Sequence, residues 1–328
     1  MSNKRKVTKR SMLGNETYLV TGAGGFIGSH IVDRLRTISN ESPNGQVHAL
    51  GRSFGKLSEL NAPGDFTFHQ CDLQDNATLY PLLASIKPHV IIHLASEPDA
   101  AESGEHSRNC IANNLVSTVN LLDAFASSGN PQGMVYGDST KVYGSAPSPY
   151  RSDVRPEPNS SYSITKAASW EFVRLQARLS GFSAVAIRPT LIYGPRQPDN
   201  IISVILDAIR ENQSSFTIQG GSQTRAPLHI DDAVDAYIRT VENIAALNSK
   251  IINIGGAEEF RVADIARHVV RNAGSDMRIL CESTMRDTEI LQSSVDLSEA
   301  EDLLGWKPSI SLAQGLIPFR ESILENTV

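Results

Sequence analysis

Cysteine is rare in this chain, whose 328 residues include only three: Cys71, Cys110 and Cys281. They lie far apart in the sequence, with no CxxC pair and no metal-ligand spacing. The sequence therefore predicts neither a disulfide framework nor a metal site. Because disulfides are rare where thiols stay reduced, we expect a cytoplasmic protein.

Long hydrophobic segments are also missing, and positive charge is in the minority. No run approaches the ~18 consecutive apolar residues that a membrane-spanning helix needs, so we expect no membrane partner. Lys and Arg number 30 against 36 Asp and Glu, a formal net charge of -6. A broad phosphate-binding surface for nucleic acid is therefore not expected, and an anion must be bound by local groups.

Segment 1–15 differs from the rest of this acidic chain because it is rich in Lys and Arg. No apolar segment follows it, so the pattern does not indicate a secretory signal. We expect a flexible basic tail, with a local contact to an anion or nucleic acid as the alternative.

Short apolar runs alternate with stretches of helical periodicity from residue 17 onward. This order is typical of an α/β fold with a doubly wound parallel sheet, covered by helices on both faces. The predicted strands are 17–21, 47–50, 66–71, 90–95, 134–139, 184–188 and 250–254. The predicted helices are 26–38, 75–86, 107–128, 160–180, 200–212, 231–244 and 261–273, with Pro81 a potential interruption of the second.

A glycine-rich turn joins the first strand to the first helix, reading Thr21-Gly22-Ala23-Gly24-Gly25-Phe26-Ile27-Gly28. Gly22 permits a tight turn, Gly25 lets the backbone approach a pyrophosphate, and Gly28 lets the helix pack close to the strand. The free N–H groups at the helix start favour an anion. The turn therefore predicts a dinucleotide-binding domain of the Rossmann type.

The pattern changes after Pro189. Segments 194–200 and 219–227 have the composition of loops between helices, which indicates a smaller α/β lobe over the strand ends. We predict a Rossmann domain at 16–190, to which segments near 228–256 return, and a mainly substrate-binding lobe at 191–328.

The end of the second strand bears on the choice of nicotinamide cofactor. A carboxylate there would accept the ribose hydroxyls of NAD, but the sequence reads Gly51-Arg52-Ser53. Since Arg and Ser can bind a 2′-phosphate, this pattern favours NADP, and NAD held by other groups is the alternative. Asp72, after the third strand, is placed either to meet the adenine amino group or to cap the next helix.

A phenol and an ammonium group share one face of the predicted helix 160–180, because Tyr162 and Lys166 are four residues apart. A free tyrosine titrates near ~10, but a nearby lysine and an oxidised nicotinamide both favour the phenolate. Tyr162 is therefore a candidate acid and base. Ser139, at the carboxyl end of the fifth strand, could hydrogen-bond the same substrate oxygen. It lacks a GxSxG elbow, so it is not predicted to be a nucleophile.

Further motifs accompany these in order along 16–312. The set comprises TGxxGxxG, the serine before Val142-Tyr143-Gly144, YxxxK, the run from Arg188 to Arg196, the run from His229 to Asp232, the run from Asn253 to Gly256 and the run from Leu304 to Pro308. Together the motifs resemble the extended short-chain dehydrogenase/reductase family, specifically its nucleotide-sugar-modifying members.

The resemblance implies a role for each matching residue. Ser139 and Tyr162 would bracket the reacting oxygen of a nucleotide sugar, supported by Lys166. Arg225 and Arg286 match the arginines that grip the diphosphate, and Arg196 is a further candidate for substrate binding. Besides the glycines, Arg52, Ser53, Asp72, Tyr162 and Lys166, the implied cofactor contacts are Phe26, Ile27, Leu73, Leu94, Ala95, Ser96, Asn114 and Pro189.

The resemblance also implies a homodimer, because helices 107–128 and 160–180 match those of the family's four-helix interface. The alternative is that their outward apolar residues, such as Leu175, face the other lobe.

Several positions depart from the family pattern. Leu191 stands where many relatives have asparagine, and Ala226 where aspartate commonly follows the arginine. Dehydratase relatives need an Asp-Glu pair directly after the catalytic residue, where this chain has Thr140 and Lys141. A 4,6-dehydratase is therefore disfavoured.

Two enzymatic activities remain after this exclusion. The preference that Arg52 indicates for NADP leads us to predict an NADP-dependent ketoreductase that reduces a 4-keto-deoxysugar. The alternative is an NAD(P)-dependent nucleotide-sugar 4-epimerase, in which the cofactor is regenerated. A non-catalytic dinucleotide-binding regulatory protein is a third reading, which the presence of Ser139, Tyr162 and Lys166 opposes.

Overall fold

The computed structural model describes residues 16–39, 45–60, 65–98, 101–197, 200–285 and 288–318. The predicted basic tail 1–15 and the candidate Arg286 lie outside these residues.

The strands and helices of this part of the chain alternate as the sequence pattern predicts. The strands are β1 (Thr17–Thr21), β2 (Gln46–Gly51), β3 (Thr67–Gln70), β4 (Val90–His93), β5 (Gly133–Gly137), β6 (Ser183–Pro189), β7 (Ile192–Tyr193), β8 (Ser215–Gln219), β9 (Thr224–Arg225), β10 (Leu228–His229), β11 (Ile251–Ile254), β12 (Phe260–Arg261), β13 (Arg278–Glu282) and β14 (Gln292–Ser293). The α-helices are α1 (Phe26–Ser39), α2 (Asn76–Ile86), α3 (Gly104–Cys110), α4 (Ser117–Ala126), α5 (Ser161–Ser180), α6 (Ile201–Arg210), α7 (Ile230–Glu242), α8 (Val262–Asn272), α9 (Ser298–Leu304) and α10 (Leu312–Gly315).

A seven-stranded sheet in the order β11-β6-β5-β4-β1-β2-β3 forms the centre of the molecule, and all its strand pairs are parallel. Alternate residues of β1 enter two separate cores: Tyr18 and Val20 pack on the side of α1 and α7, and Leu19 on the side of α2, α4 and α5. Both faces are covered, which explains why the strands read as continuous apolar runs. The predicted Rossmann-type sheet is confirmed.

The predicted helix 107–128 is divided into three parts. The α-helix α3 is followed by a π-helical segment, Ile111–Val116, and α4 completes the run. A π-helical turn adds a residue to the repeat, so it is invisible to a search for 3.6-residue periodicity. The predicted interruption of α2 does not occur, because the helix continues through Pro81.

A smaller lobe lies beyond the carboxyl ends of the main strands and contains α6, α8 and short sheets. Strands β8 and β13 form one pair, while β9 lies between β12 and β14. Segment 219–227, predicted as a loop, contains β9, since a two-residue strand has no recognisable period. Helix α7 packs on α1, and β11 pairs with β6 in the main sheet. We retain 16–190 with 228–256 as the proposed nucleotide-binding unit.

None of the helices in the described part of the chain combines the length and the apolarity that crossing a lipid bilayer requires.

His93, the last residue of β4, is hydrogen-bonded through both ring nitrogens inside the core. Nδ1 lies 2.6 Å from Oγ1 of Thr21, and Nε2 lies 2.9 Å from Oγ1 of Thr118. Burial and, to a smaller extent, the charge of Lys166 lower the pKa of His93 to about 3. The ring is therefore neutral in the folded protein at neutral pH.

We expect His93 to make the fold less stable as the pH falls. An unfolded histidine takes up a proton near pH ~6.5, whereas the folded one does so only near its lowered pKa. The unfolded state thus binds more protons between these values, and stability is lost as the pH decreases. At pH ~4.5 the loss amounts to about 2–3 kcal/mol. Urea unfolding between pH 7 and pH 4.5 should give His93→Gln a flatter dependence than the wild type; equal slopes would contradict this assignment.

Candidate active site

Two adjoining cavities lie at the carboxyl ends of the main strands. The larger has a volume of about 610 Å³ and contains Ser139, Tyr162 and Lys166 on its wall. The smaller, about 280 Å³, extends towards the ends of β2 and β3. Both are lined by Gly22, Gly25, Leu94 and Ser96. Together they form an elongated site across the edge of the sheet, as expected for a dinucleotide with a substrate beside it.

The glycine-rich turn is packed too tightly for side chains. Gly22 has a φ of +67°, and a Cβ on it would lie 2.7 Å from the backbone nitrogen of Ala95. A Cβ on Gly28 would lie 2.2 Å from the carbonyl oxygen of Gly22, so α1 could not keep its position against the turn. The glycines of the turn and the first residues of α1 also line the cavities, so the helix start faces them and forms a cradle that fits the pyrophosphate of NAD or NADP.

The smaller cavity contains the residues predicted to meet the adenosine half of a cofactor. Its wall includes Arg52, Ser53, Asp72, Leu73 and Ala95. The carboxylate of Asp72 accepts a hydrogen bond from the backbone nitrogen of Gln74 at 2.9 Å. The alternative that Asp72 caps the following helix is wrong, because Asp75 is the residue that accepts from the first turn of α2.

Tyr162 lies in the first turn of α5, on the wall of the larger cavity. Its position is fixed by a reciprocal cap. Oγ of Ser160 accepts a hydrogen bond from the backbone nitrogen of Ser163, and Oγ of Ser163 accepts one from the backbone nitrogen of Ser160. Such a cap holds the helix start in one orientation. The phenol of Tyr162 is partly exposed to the cavity, as an acid or base must be.

Lys166 is buried one turn further along α5. Its ammonium group donates to the carbonyl oxygen of Gly137 and lies 4.5 Å from the centre of the Tyr136 ring. Burial lowers the pKa of Lys166 to about 8, while the charge of Asp138 raises it. The ammonium form therefore predominates at neutral pH only by a moderate margin.

Ser139 follows β5 at the cavity wall. Its backbone nitrogen donates to Oδ1 of Asp138 at 2.9 Å, and its Oγ accepts from the backbone nitrogen of Lys141 at 3.2 Å. The hydroxyl hydrogen remains available for a substrate oxygen. The structure therefore brings Ser139, Tyr162 and Lys166 to one cavity, as the sequence predicts.

Asn114, predicted to lie near the cofactor, is buried behind the site rather than on a cavity wall. Its Oδ1 accepts from the backbone nitrogen of Glu97 at 2.6 Å, and its Nδ2 donates to Oγ1 of Thr165 at 2.9 Å. Asn114 thus ties the loop after β4 to α5. The other predicted contacts, Phe26, Ile27 and Pro189, lie on the wall of the larger cavity.

The candidate substrate arginines have different surroundings. Arg225 lines the larger cavity, where its guanidinium forms an ion pair with Glu289 and donates to the carbonyl oxygen of Ile290 at 2.8 Å. Arg196, the other candidate, lines neither of the two cavities. Its guanidinium lies on α1, 3.2 Å from Oγ of Ser29 and 3.4 Å from the carboxylate of Asp33.

Two carboxylates at the site were missed by sequence analysis. Asp138 pairs with Arg188, and Glu289 pairs with Arg225. Asp138 directly precedes Ser139, so its position in the motif was visible, but its partner lies on another strand. Glu289 follows the candidate Arg286 closely, yet no pattern links it to Arg225.

The fold and the site together define a nicotinamide-dinucleotide enzyme of the short-chain dehydrogenase/reductase type. Residues 18–255 match the family model described as the NAD dependent epimerase/dehydratase family. The chain belongs to this family, which is the nucleotide-sugar-modifying group that the motifs indicate.

Relatives and solved structures resemble the chain over nearly its whole length. The UDP-glucose 4-epimerase of Mycolicibacterium smegmatis is 29% identical over 306 residues, covering 91% of this chain and 95% of the relative. The dTDP-L-rhamnose 4-epimerase of Burkholderia thailandensis is 28% identical over 356 residues, covering 93% and 94%. The UDP-glucuronic acid 4-epimerase of Bacillus cereus, solved with UDP-glucuronic acid and NAD, superposes with a TM-score of 0.85 at 27% identity, covering 94% of this chain and 99% of that structure.

Proposed function

We propose that the protein is an NAD-dependent 4-epimerase of a nucleotide sugar. The observation that carries this proposal is the placement of Ser139, Tyr162 and Lys166 on one cavity wall beside the glycine-rich cradle. The similarity to three 4-epimerases supports epimerisation over the ketoreductase activity that Arg52 alone suggested.

The residues of the site can move a proton to and from a sugar hydroxyl. When bound, NAD would supply the acceptor and then the donor of the hydride at the sugar carbon C4. Tyr162 takes the proton of the 4-hydroxyl as that carbon is oxidised and returns it when the carbon is reduced. Ser139 donates a hydrogen bond to the same oxygen, and the charge of Lys166 favours the phenolate. Epimerisation results when reduction occurs on the opposite face.

The cofactor assignment to NAD departs from the NADP prediction. Gly51 at the end of β2 provides no carboxylate to reject a 2′-phosphate, and Arg52 and Ser53 line the smaller cavity. NAD is favoured because the Bacillus cereus neighbour was solved with it. An epimerase does not consume its cofactor, so selection for the reduced NADP pool brings no advantage. Mass spectrometry of the nucleotide released from the purified, denatured protein distinguishes NAD from NADP.

The diphosphate of the substrate has one cationic partner in the described part of the larger cavity, Arg225, apart from the lysines next to the reacting groups. We propose that Arg225 binds the diphosphate by exchanging its ion pair with Glu289 for the more highly charged ligand. Leu191 lines the same cavity in place of the family's asparagine, which leaves Arg225 with a larger share of this contact.

The proposed activity is tested with a panel of nucleotide sugars. The purified protein is incubated with UDP-glucose, UDP-glucuronic acid and dTDP-L-rhamnose, and product stereochemistry is followed by NMR together with the absorbance of the reduced cofactor. We expect the C4 isomer of at least one of these to form with no net cofactor change. Stoichiometric oxidation of NADPH with a 4-keto sugar, and no isomer formation, would instead support the ketoreductase.

We also propose that the protein forms a homodimer through α5 and the helical segment before β5. Leu175 is 41% exposed in the single chain, which supports an interface over burial against the other lobe. It belongs to a set of large apolar residues exposed on these helices: Ile111, Val116, Val119, Ile164, Phe172, Leu175 and Leu179. Exposed large apolar residues on neighbouring helices are typical of an interface.

We expect the double substitution Phe172→Glu and Leu175→Glu to weaken the dimer by at least about 30-fold, because carboxylates would have to be buried at its centre. Sedimentation velocity measures the association. Leu280→Glu is a matched control, since Leu280 is an exposed leucine on β13 in the other lobe. A wild-type protein that sediments as a monomer would contradict the proposed interface.

A further inference from the structure

An ion pair is buried directly behind the catalytic residues. Nε of Arg188, on β6, lies 2.6 Å from Oδ2 of Asp138, at the end of β5, and both side chains are essentially inaccessible to solvent. The Arg188 guanidinium also lies over the ring of Tyr143, 4.9 Å from its centre. Residues 138 and 188 are brought together because β5 and β6 are neighbours in the sheet.

The pair is not arranged for maximal stability. Burying two charges costs several kcal/mol per ion, which is recovered only if every donor and acceptor is satisfied. Among the described residues, Nη1 of Arg188 is buried without a hydrogen-bond partner. Two apolar side chains of similar size would fill this space at lower cost, so stability alone does not account for the pair.

Asp138 lies in the chain between two backbone groups that meet the catalytic residues. Its Oδ1 accepts from the backbone nitrogen of Ser139, and the preceding residue, Gly137, provides the carbonyl oxygen that holds the ammonium of Lys166. The carboxylate therefore determines the direction of the chain at the point where Ser139 and Lys166 meet the cavity.

We propose that Asp138, held by Arg188, is a positioning residue: its carboxylate orients Ser139 and lies beside the Gly137 carbonyl that binds Lys166, where its charge acts on the ammonium group. The effect of Asp138 on catalysis rests on the proposed function. The relation of Asp138 to Lys166 is a property of the folded protein and is measurable without turnover.

The groups that face Lys166 come from each neighbouring element. The ring of Tyr136 on β5 lies under its ammonium group, Asp138 after β5 and His93 on β4 interact with its charge, and Tyr162 on α5 lines the same cavity. Beyond them, Arg188 on β6 pairs with Asp138, and Tyr237 on α7 interacts with the charges of Tyr162 and Asp138. The lowered pKa of His93 and the raised pKa values of Tyr136 and Tyr237, all caused first by burial, keep these three neutral near pH 7. Of the groups named, Asp138 alone is an anion before Tyr162 ionises.

The electrostatic role predicts opposite effects for the two halves of the ion pair. Asp138→Asn leaves Arg188 as an uncompensated cation, so Lys166 should lose its proton at lower pH. Arg188→Gln leaves Asp138 uncompensated, so Lys166 should keep its proton to higher pH. Each shift in the titration of Lys166 should be about one pH unit. In the double variant Lys166 should titrate close to its wild-type pH. A merely structural role would not give shifts of opposite sign.

The titration of Lys166 is followed in the cofactor-bound protein by NMR of ¹⁵N-labelled lysine side chains. The resonance is identified by its absence in Lys166→Arg. Epimerisation of UDP-glucose, or of the panel sugar that the wild type turns over, is measured across the same pH range. The alkaline limit of kcat should move with the Lys166 resonance in each variant. Circular dichroism and thermal melting check the fold, and the exposed pair Asp207→Asn and Arg210→Gln, whose wild-type atoms are 2.7 Å apart, gives matched controls.

Shifts in the same direction, or none in either single variant, would overturn the inference. If Asp138→Asn does not fold, Arg188→Gln decides alone, because the inference requires Lys166 to titrate at higher pH in that variant. If neither folds, the double variant Asp138→Asn/Arg188→Gln is compared with Asp138→Asn/Arg188→Lys. The second of these keeps a cation at position 188, so its Lys166 should titrate at lower pH than Lys166 of the first. Opposite shifts in a protein that isomerises no sugar would leave the inference standing and reject the proposed function.

Discussion

Replacing Tyr162 with phenylalanine should lower kcat by roughly 10²- to 10⁴-fold while the fold and the cofactor content stay unchanged. The substitution removes one hydroxyl from the first turn of α5, where the cap formed by Ser160 and Ser163 holds the helix independently of it. Without the hydroxyl, the proton of the sugar 4-hydroxyl has no acceptor on the cavity wall next to Ser139. The measurement is the rate of C4 isomer formation, with the nucleotide released on denaturation quantified in parallel.

Tyr237→Phe is the matched control for this experiment. Tyr237 also lines the larger cavity, but it is buried on α7, and burial together with the charges of Tyr162 and Asp138 raises its pKa. Its hydroxyl therefore stays protonated and cannot act as a base near neutral pH. We expect Tyr237→Phe to retain kcat within about tenfold. Equal losses in the two variants would show that Tyr162 has no special role.

The second large effect is expected for Gly28→Ala, which adds a single methyl group at the start of α1. The new Cβ would lie 2.2 Å from the carbonyl oxygen of Gly22 and 2.9 Å from Cα of Ala23, and both are backbone atoms. The helix must therefore move away from the turn. We expect a loss of about 1–3 kcal/mol in unfolding free energy and, since the helix start would no longer meet the pyrophosphate, cofactor affinity lower by about 100-fold.

Gly104→Ala provides the comparison for Gly28→Ala. Among the residues that the structure describes, a Cβ at position 104, at the start of α3, would meet only the flexible end of Arg108 at 3.6 Å. Equilibrium dialysis with NAD and urea unfolding should show wild-type behaviour for Gly104→Ala and losses in both measurements for Gly28→Ala. A Gly28→Ala protein that binds NAD normally would contradict the assignment of the turn as the cofactor cradle.

Much of the fold could be predicted because the central strands of the main sheet, such as β4 and β5, are buried along their whole length. Such strands appear as isolated apolar runs, and the 3.6-residue period of the helices between them differs clearly. The strand predicted at 250–254 was recognisable for the same reason and returns to pair with β6. The limits of this approach appear at Ile111–Val116, where a π-helical segment changes the repeat, and at β9, which is too short to have one.

The catalytic candidates could be found from the sequence because their chemistry depends on local spacing. Tyr162 and Lys166 are one helical turn apart, and Ser139 stands at the carboxyl end of a strand, where α/β sheets bind their ligands. The cofactor cradle is local as well, since Gly22 and Gly28 belong to one turn. Local spacing placed Tyr162 beside Lys166, and the strand-end position of Ser139 together with the family resemblance predicted that these groups meet one substrate oxygen.

The other site residues depend on contacts between distant parts of the chain, which a single sequence does not report. The partner of Asp138 is 50 residues away, and the partner of Arg225 is 64 residues away. Arg196 is an example in the other direction. Its motif suggested a contact with substrate, but its guanidinium contacts Asp33 and Ser29 on α1. The choice between NADP and NAD could not be predicted from the sequence for a related reason. The absence of a carboxylate at Gly51 permits NADP without requiring it.

The most direct test of the proposed epimerase is the fate of deuterium at C4 of the sugar. UDP-glucose labelled with deuterium at C4, or the correspondingly labelled panel sugar that is turned over, is incubated with the purified protein in ordinary water without added cofactor. The proposed mechanism predicts that the C4 isomer forms and keeps its deuterium, because the same hydride leaves and returns. Loss of deuterium to solvent, or product formation only when reduced cofactor is supplied and consumed, would contradict it.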